Sequence, residues 1–409
     1  EHALAWRLAR SPSVDAVCSA PGNPGMAELG PTVPIAVHDL EGLARYASEH
    51  EVDLTVVGPE VPLVAGIVDL FSARGLRVFG PRASAARIEG SKVWCRELAE
   101  RYGVPMARGR SFDAPEPAAR FAAELEGPVV VKAEGLAAGK GVRICADARE
   151  ARAAIDEIMR GRLFGDAGSR VVVEEYLSGR ETSLFCLTDG HDVVVLEPAQ
   201  DYKRALDGDG GLNTGGMGSY SPVPWLPAEV RERAVNEIVR PLLDGLAAEG
   251  AAFTGCFYAG LMVDHSGAKL IEVNCRFGDP ETQVLMPRLE SDLGELLTAC
   301  AGGSLGDAKV SWRPDACVSV VLASGGYPGE YRTGLEVSGV QEAESMDGVA
   351  VFHAGTSLDG SRLVSSGGRV LNVSALGTDI ADARSRAYAA AALIEMEGQH
   401  LRTDIALGV

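Results

Sequence analysis

GAKLIEVNCRFGDPETQ, residues 267–283, is the stretch on which the reading of this chain turns. In an extended strand, successive side chains point to opposite faces. Ile271, Val273 and Cys275 are therefore expected in a core, and Glu272, Asn274 and Arg276 on the opposite face. A carboxylate, an amide and a guanidinium in one row are costly on a buried sheet unless something binds them. A half-exposed strand with a salt-bridged face is the plain alternative. Glu272 and Asn274 are hard oxygen donors of the kind that suit Mg²⁺ carrying nucleotide phosphates. Arg276 can stabilise charge developing on a transferred phosphoryl or acyl oxygen.

Three upstream segments extend this reading. In PVVVKAEGLAAGKGVRICAD, 128–147, an apolar strand runs into Lys132, then a loop with Gly135, Gly139 and Gly141, then a second strand. Glycines admit close backbone approach and lysines neutralise phosphates, although an ordinary glycine hairpin with exposed lysines reads equally. The spacing is not that of a P-loop, and no helix follows. RVVVEEYLSGRETSLFC, 170–186, is a strand, a break and a strand with Glu174, Glu175 and Glu181 nearby. Such a break offers backbone to an adenine edge and a carboxylate to ribose, or it is a solvated edge turn. AQDYKRALDGDGGLNTGGMGSYSP, 199–222, reads as a flexible, anion-contacting loop with Lys203 and Arg204. Lys92 falls in the first turn of a helix, where a cation needs an anion or solvent to face.

Composition limits the function classes. The 409 residues hold 38 Lys+Arg against 57 Asp+Glu, a net charge of −19, which argues against nucleic acid or an anionic membrane as partner. A 46% apolar and 23% charged composition is that of a globular protein, with no run long enough to span a bilayer and no signal-like start. Eight scattered cysteines without a CxxC pair fit a reduced, cytoplasmic setting and exclude a thiolate zinc site. Residues 1–88 alternate helix-like and strand-like segments, the rhythm of an open parallel α/β sheet. Residues 89–310 carry the chemistry, and 311–409 read as an α+β cap on the same core. No seam or long apolar edge is evident, so a monomer is expected.

The segments occur in a telling order: APGNPG (20–25), VGPEVPL (57–63), FGPRASAARIEGSK (79–92), KAEGLAAGKGV (132–142), NTGGMGSYSP (213–222), YAGLM (258–262), NCRFGDPETQ (274–283), SGGYPGEYRTG (324–334) and FHAGT (352–356). Essentially end to end, the chain resembles the ATP-grasp enzymes and, among them, the phosphoribosylamine–glycine ligase family. The resemblance implies an ATP-grasp domain over 89–310 with a lid at about 110–182. It implies ligation of glycine to 5-phosphoribosylamine through glycyl phosphate, with ATP going to ADP and phosphate, in purine biosynthesis.

The resemblance also implies site roles. Lys92 and Lys132 would contact ATP phosphates beneath a mobile loop at 134–142, which holds Glu134, Gly135, Gly139, Lys140 and Gly141. Glu174, Glu175, Tyr176 and Leu177 would cradle adenine, and Glu181 the ribose. Glu272 and Asn274 would hold Mg²⁺ or Mn²⁺. Arg276 and Asp279, with Asp201, Lys203 and the loop Asn213, Thr214, Gly215, Gly216, Met217 and Gly218, would surround glycine and the reacting phosphate. Arg276, Lys132 and Asp279 would be catalytic. Asn23, Glu60 and the GDPE segment would meet phosphoribosylamine. The family's opening GxGGR loop is expected ahead of Glu1, and Leu212 stands where the family has proline. A different ATP-grasp ligase, or a catalytically dead nucleotide-binding protein, would differ at NTGGMG and GDPE or lack Glu272, Asn274 or Arg276.

Overall fold

The computed structural model describes every residue except 136–140 and 307. In the amino-terminal region the helices His2–Leu8, Leu40–Glu49 and Ile67–Ala73 alternate with extended segments, as the sequence rhythm requires. Parallel pairing is short: Thr55–Val56 runs beside Val78–Phe79, and one further parallel bridge joins Ser19 to Thr32. The segment 60–73 forms two helices, Glu60–Val64 and Ile67–Ala73. Gly66 separates them at φ +91°, a left-handed conformation that a helix interior does not accommodate.

Val129–Ala133 and Val142–Cys145, the strands expected on either side of the glycine-rich loop, pair antiparallel from Val129 with Cys145 to Lys132 with Val142. With Gly109–Phe112 and Val171–Glu175 they make a four-stranded sheet, packed by the helices Pro115–Glu124 and Ala148–Met159 around Phe121, Val131, Ile155 and Val173. Asp147 caps the second helix by accepting from the Glu150 N–H at 2.8 Å, and Glu150 reaches back to the Ala146 N–H at 2.9 Å.

The strand–break–strand pattern of 170–186 is observed, but its two strands lie in different sheets. Arg180–Thr188 belongs to a second antiparallel sheet with Val193–Val195, Gly255–Asp264 and Gly267–Asn274. Within that sheet Gly260 pairs with Glu272 and Leu261 with Leu270, so Ile271 is an extra residue on its strand. This bulge corrects the expected alternation, because Leu270, Val273 and Cys275 are buried while Ile271 turns to the cleft wall.

A five-stranded antiparallel sheet runs Val349–His353, Arg369–Gly377, Ala316–Ala323, Gly218–Ser221, Gln200–Asp201. Its last two strands come from the 199–222 segment, so the carboxy-terminal unit shares a sheet with the middle of the chain instead of beginning cleanly at 311. All eight cysteines are free and seven are buried. Among the described residues no helix is long and apolar enough to cross a membrane.

Candidate active site

A cleft of about 850 Å³ opens between the two four-stranded sheets and the 201–218 hairpin. One end of it is built by a helix N-terminus. Ser91 caps the helix Lys92–Arg101 by accepting from the Trp94 N–H at 3.1 Å, and its hydroxyl donates to Glu134. Lys92 donates its backbone N–H to Glu134 O at 3.0 Å and its Nζ to Gly135 O at 2.9 Å. Burial pulls Lys92 below its ordinary value; Glu272 opposes that shift and Lys132 adds to it.

One turn further, Arg96 shares the face of Lys92. Glu174 lies between Arg96 Nη1 at 2.8 Å and Lys132 Nζ at 2.7 Å, and Lys132 also donates to Ile271 O at 3.0 Å. All three side chains are buried. Arg96 Nε also lies 3.0 Å from Glu100, so two carboxylates face these two cations, with Lys132 on the cleft side. Glu174 is therefore spent on holding these cations, not free to meet a base.

Glu272 and Asn274 stand on the cleft face of their strand, as alternation requires. Burial alone would raise Glu272, but Lys203, Lys132 and Lys92 reverse the effect and hold its carboxyl below the ordinary range. Lys203 Nζ lies 3.0 Å from Asp201 and 3.4 Å from Glu272. Despite desolvation, Asp201, Tyr258, Glu272 and Glu181 hold Lys203 well above its usual value. Arg276 is more committed than sequence suggests. Its Nε donates to Glu60 at 3.1 Å, Nη1 to Phe277 O at 3.1 Å, and Nη2 to Glu89 at 3.1 Å and Asn274 Oδ1 at 3.4 Å. Of the five N–H groups of a guanidinium, one on Nη1 remains.

Sequence reasoning missed Arg369 and Glu89, and covered Glu281 only as part of the GDPE segment. Arg369, from the carboxy-terminal unit, grips Asp279 through Nη2–Oδ2 at 2.9 Å and Nη1–Oδ1 at 3.2 Å, and also donates to Gly215 O at 2.9 Å. A Cβ on Gly215 would lie 2.8 Å from its guanidinium carbon, so the glycine loop rests directly on this arginine. Glu89 sits in the quoted EGSK string; it accepts from the Cys275 N–H at 2.7 Å and pairs with Arg276. Glu281 sits inside GDPETQ. Burial, reinforced by Asp201, raises its carboxyl to about 7, and it accepts from Ser183 Oγ at 2.8 Å. No local pattern announces Arg369, because its partners are distant in sequence.

The cleft gathers Lys92, Lys132, Gly141, Glu174, Glu175, Tyr176, Leu177, Glu181, Asp201, Lys203, Asn213, Thr214, Gly215, Glu60, Glu272, Asn274, Arg276 and Asp279. Glu134 and Gly135 lie behind Lys92, and Gly216, Met217 and Gly218 behind the loop's exposed half. Gly139 and Lys140 lie outside the described residues. Asn23 is elsewhere: its Oδ1 accepts from the Met26 N–H at 3.0 Å and its Nδ2 donates to His353 O at 2.9 Å. The N–H groups of Glu175 and Tyr176 are already bonded to Arg108 O and Pro128 O, so those two are not free for an adenine edge. Among the described residues, no three His, Cys, Asp or Glu side chains cluster to hold a metal. Glu272 and Asn274 supply two hard oxygens, which fits an ion completed by phosphate and water.

Family models for phosphoribosylglycinamide synthetase match in order: the N domain over 1–89, the ATP-grasp (A) domain over 90–282 and the C domain over 317–408. A phosphoribosylamine–glycine ligase of Pseudomonas aeruginosa is 50% identical over 408 residues, covering 99% of this chain and 95% of the relative. One from Rhizobium meliloti is 49% identical, with coverage of 99% and 95%. The crystal structure of the Thermotoga maritima phosphoribosylamine–glycine ligase superposes with a TM-score of 0.84 at 31% identity, covering 99% of this chain and 97% of that one. The biotin carboxylase domain of Hydrogenobacter thermophilus 2-oxoglutarate carboxylase, at 17% identity and TM-score 0.74, covering 98% of this chain and 89% of that one, shares the fold alone. With three domain matches in register and half-identical relatives along nearly its whole length, this chain belongs to the phosphoribosylglycinamide synthetase family.

Proposed function

We propose that the chain ligates glycine to 5-phosphoribosylamine, converting ATP to ADP and phosphate and yielding glycinamide ribonucleotide for purine biosynthesis. The observation that carries this reading is the meeting of Lys92, Lys132 and Lys203 with Glu272 and Asn274 in one cleft. That set neutralises phosphates at one end and holds a small zwitterion at the other. A bound Mg²⁺ or Mn²⁺ on Glu272 and Asn274 would supply charge neutralisation of the nucleotide phosphates.

A carboxylate is a poor electrophile, so it must be activated. A glycine carboxylate oxygen attacks the γ-phosphorus, the bond to ADP breaks, and glycyl phosphate forms. Lys92 and Lys132 offset charge on the transferred group. The neutral amine of phosphoribosylamine then attacks the acyl carbon, the bond to phosphate breaks, and the amine loses a proton. In this reading Asp201, Lys203 and the 213–218 loop hold glycine. Arg276 fixes Asn274, Glu60 and Glu89 and points its remaining N–H at developing charge. The sheet bearing Lys132 forms the lid that keeps water from the acyl phosphate. Seven buried free thiols fit a reducing compartment such as the cytoplasm.

The test is a mass-resolved assay with isotopically labelled glycine, MgATP and freshly generated phosphoribosylamine. Labelled glycinamide ribonucleotide with equal ADP and phosphate is expected. MgATP binding without labelled product would refute the substrate assignment.

A further inference from the structure

The 201–218 hairpin carries its site residues on the stem. Thr214 donates its N–H and hydroxyl to Lys203 O at 2.7 and 2.9 Å, and the Met217 N–H donates to Tyr202 O at 2.8 Å. The tip, Arg204–Leu206 against Gly210–Asn213, has little apolar support. Leu206 and Leu212 are 50% and 55% exposed, and the pairing is irregular between Arg204 and Leu206. A two-stranded hairpin alone is marginal in water.

Polar groups near the end of the chain hold the tip instead. Arg402 is the largest of the fully buried side chains, at 1% exposed. Its Nε and Nη2 meet the two oxygens of Asp404 at 2.7 Å each, and its Nη1 donates to Asp209 at 2.9 Å and Arg204 O at 3.1 Å. Asp404 also accepts from the Gly208 N–H at 2.8 Å, and Asp207 from the Thr403 N–H at 2.8 Å. The guanidinium lies 4.9 Å over the ring of Tyr202, whose hydroxyl accepts from the Ala406 N–H at 2.9 Å. Tyr202 stands between Asp201 and Lys203 in the chain and lines the cleft with them, so the tail holds the segment that forms this wall.

We propose that Arg402 is a positioning residue: with Asp404 and Asp209 it clamps the hairpin so that Lys203 and Thr214 stand at the substrate end of the cleft. The inference rests on the ligation proposed above. A planar guanidinium satisfied by two carboxylates fixes orientation as well as position. Lys203 lies 3.0 Å from Asp201 and 3.4 Å from Glu272, distances that a tilt of the hairpin base would lengthen.

The experiment uses the full chain with Arg402→Gln and, because Arg402 is buried, also Asp209→Asn, whose carboxylate is 72% exposed. Glu397→Gln, at an ion pair exposed by more than 70% on both sides, is the control. Hydrogen exchange should accelerate over 203–217 alone. Turnover at fixed glycine should fall by about tenfold or more through misplacement, with the KM for ATP within about twofold. Unchanged exchange, or an equal loss in the glycine and ATP parameters, overturns the clamp. No ligation by the unaltered chain would refute the reaction instead, and the exchange result would then decide the clamp alone.

Discussion

Glu174→Gln keeps the shape of a side chain bonded to Arg96 at 2.8 Å and Lys132 at 2.7 Å but removes its charge. The three side chains are 5%, 8% and 10% exposed, so water cannot replace the lost carboxylate. Removing one partner of a buried ion pair costs roughly 3–5 kcal/mol; here Lys132 loses its carboxylate, while Arg96 keeps Glu100 at 3.0 Å. Lys132→Met is the contrasting variant. It leaves Arg96 paired with Glu174 and Glu100, and costs the fold mainly the unmet Ile271 carbonyl, roughly 1–3 kcal/mol. It also removes one positive charge from the cleft. Loss of one charge-assisted contact to phosphate, roughly 1.5–3 kcal/mol, corresponds to a 10- to 150-fold weaker nucleotide. Urea unfolding followed by hydrogen exchange in the 109–175 sheet, with calorimetric MgADP binding, reads both quantities. If Glu174→Gln is as stable as the parent, the cations are solvated and the charge accounting is wrong. If Lys132→Met loses more stability than Glu174→Gln while binding MgADP normally, Lys132 is structural and not a phosphate ligand.

Gly216→Ala should cost about 1–3 kcal/mol, since φ is +115° and a Cβ would lie 2.3 Å from Pro280 Cδ; turnover should collapse with MgADP affinity kept, and an active, stable variant would refute the loop's role. Arg369→Gln frees Asp279 and the Gly215 carbonyl. It should lower turnover without changing the MgADP Kd, and a matching loss of nucleotide affinity would count against that placement. Glu281 is raised from 4.5 to about 7, so the folded chain holds its proton more tightly than the unfolded chain does. Its contribution is therefore fully present below pH 4.5 and is lost as pH rises through 7, by roughly 3 kcal/mol. Glu281→Gln should flatten that decline between pH 5.5 and 8.5 in denaturant titrations; identical pH slopes would exclude Glu281 as its source.

Much of the site was legible because its signals are local. Alternation alone put Glu272, Asn274 and Arg276 on one face, and glycine spacing around Lys132 marked a hairpin. Alternation failed at Ile271, where a bulge set by the partner strand inserts a residue. The two strands of 170–186 were readable, yet their membership of separate sheets was not, because neither strand carries a sign of its neighbours. Glu174, read as a nucleotide contact, became the anion between Arg96 and Lys132 once three elements met.

Periodicity, turn chemistry and motif order act within a few residues or along one line. They determined the family resemblance, the strands and helices flanking the cleft, and most of its charged lining. The tertiary structure alone decided that Arg369 would grip a loop 154 residues earlier and that Arg402 would bind a hairpin 198 residues earlier. Such contacts arise when a five-stranded sheet draws together segments from the middle and the end of the chain, and no local spacing encodes which carbonyl or carboxylate a distant guanidinium will meet.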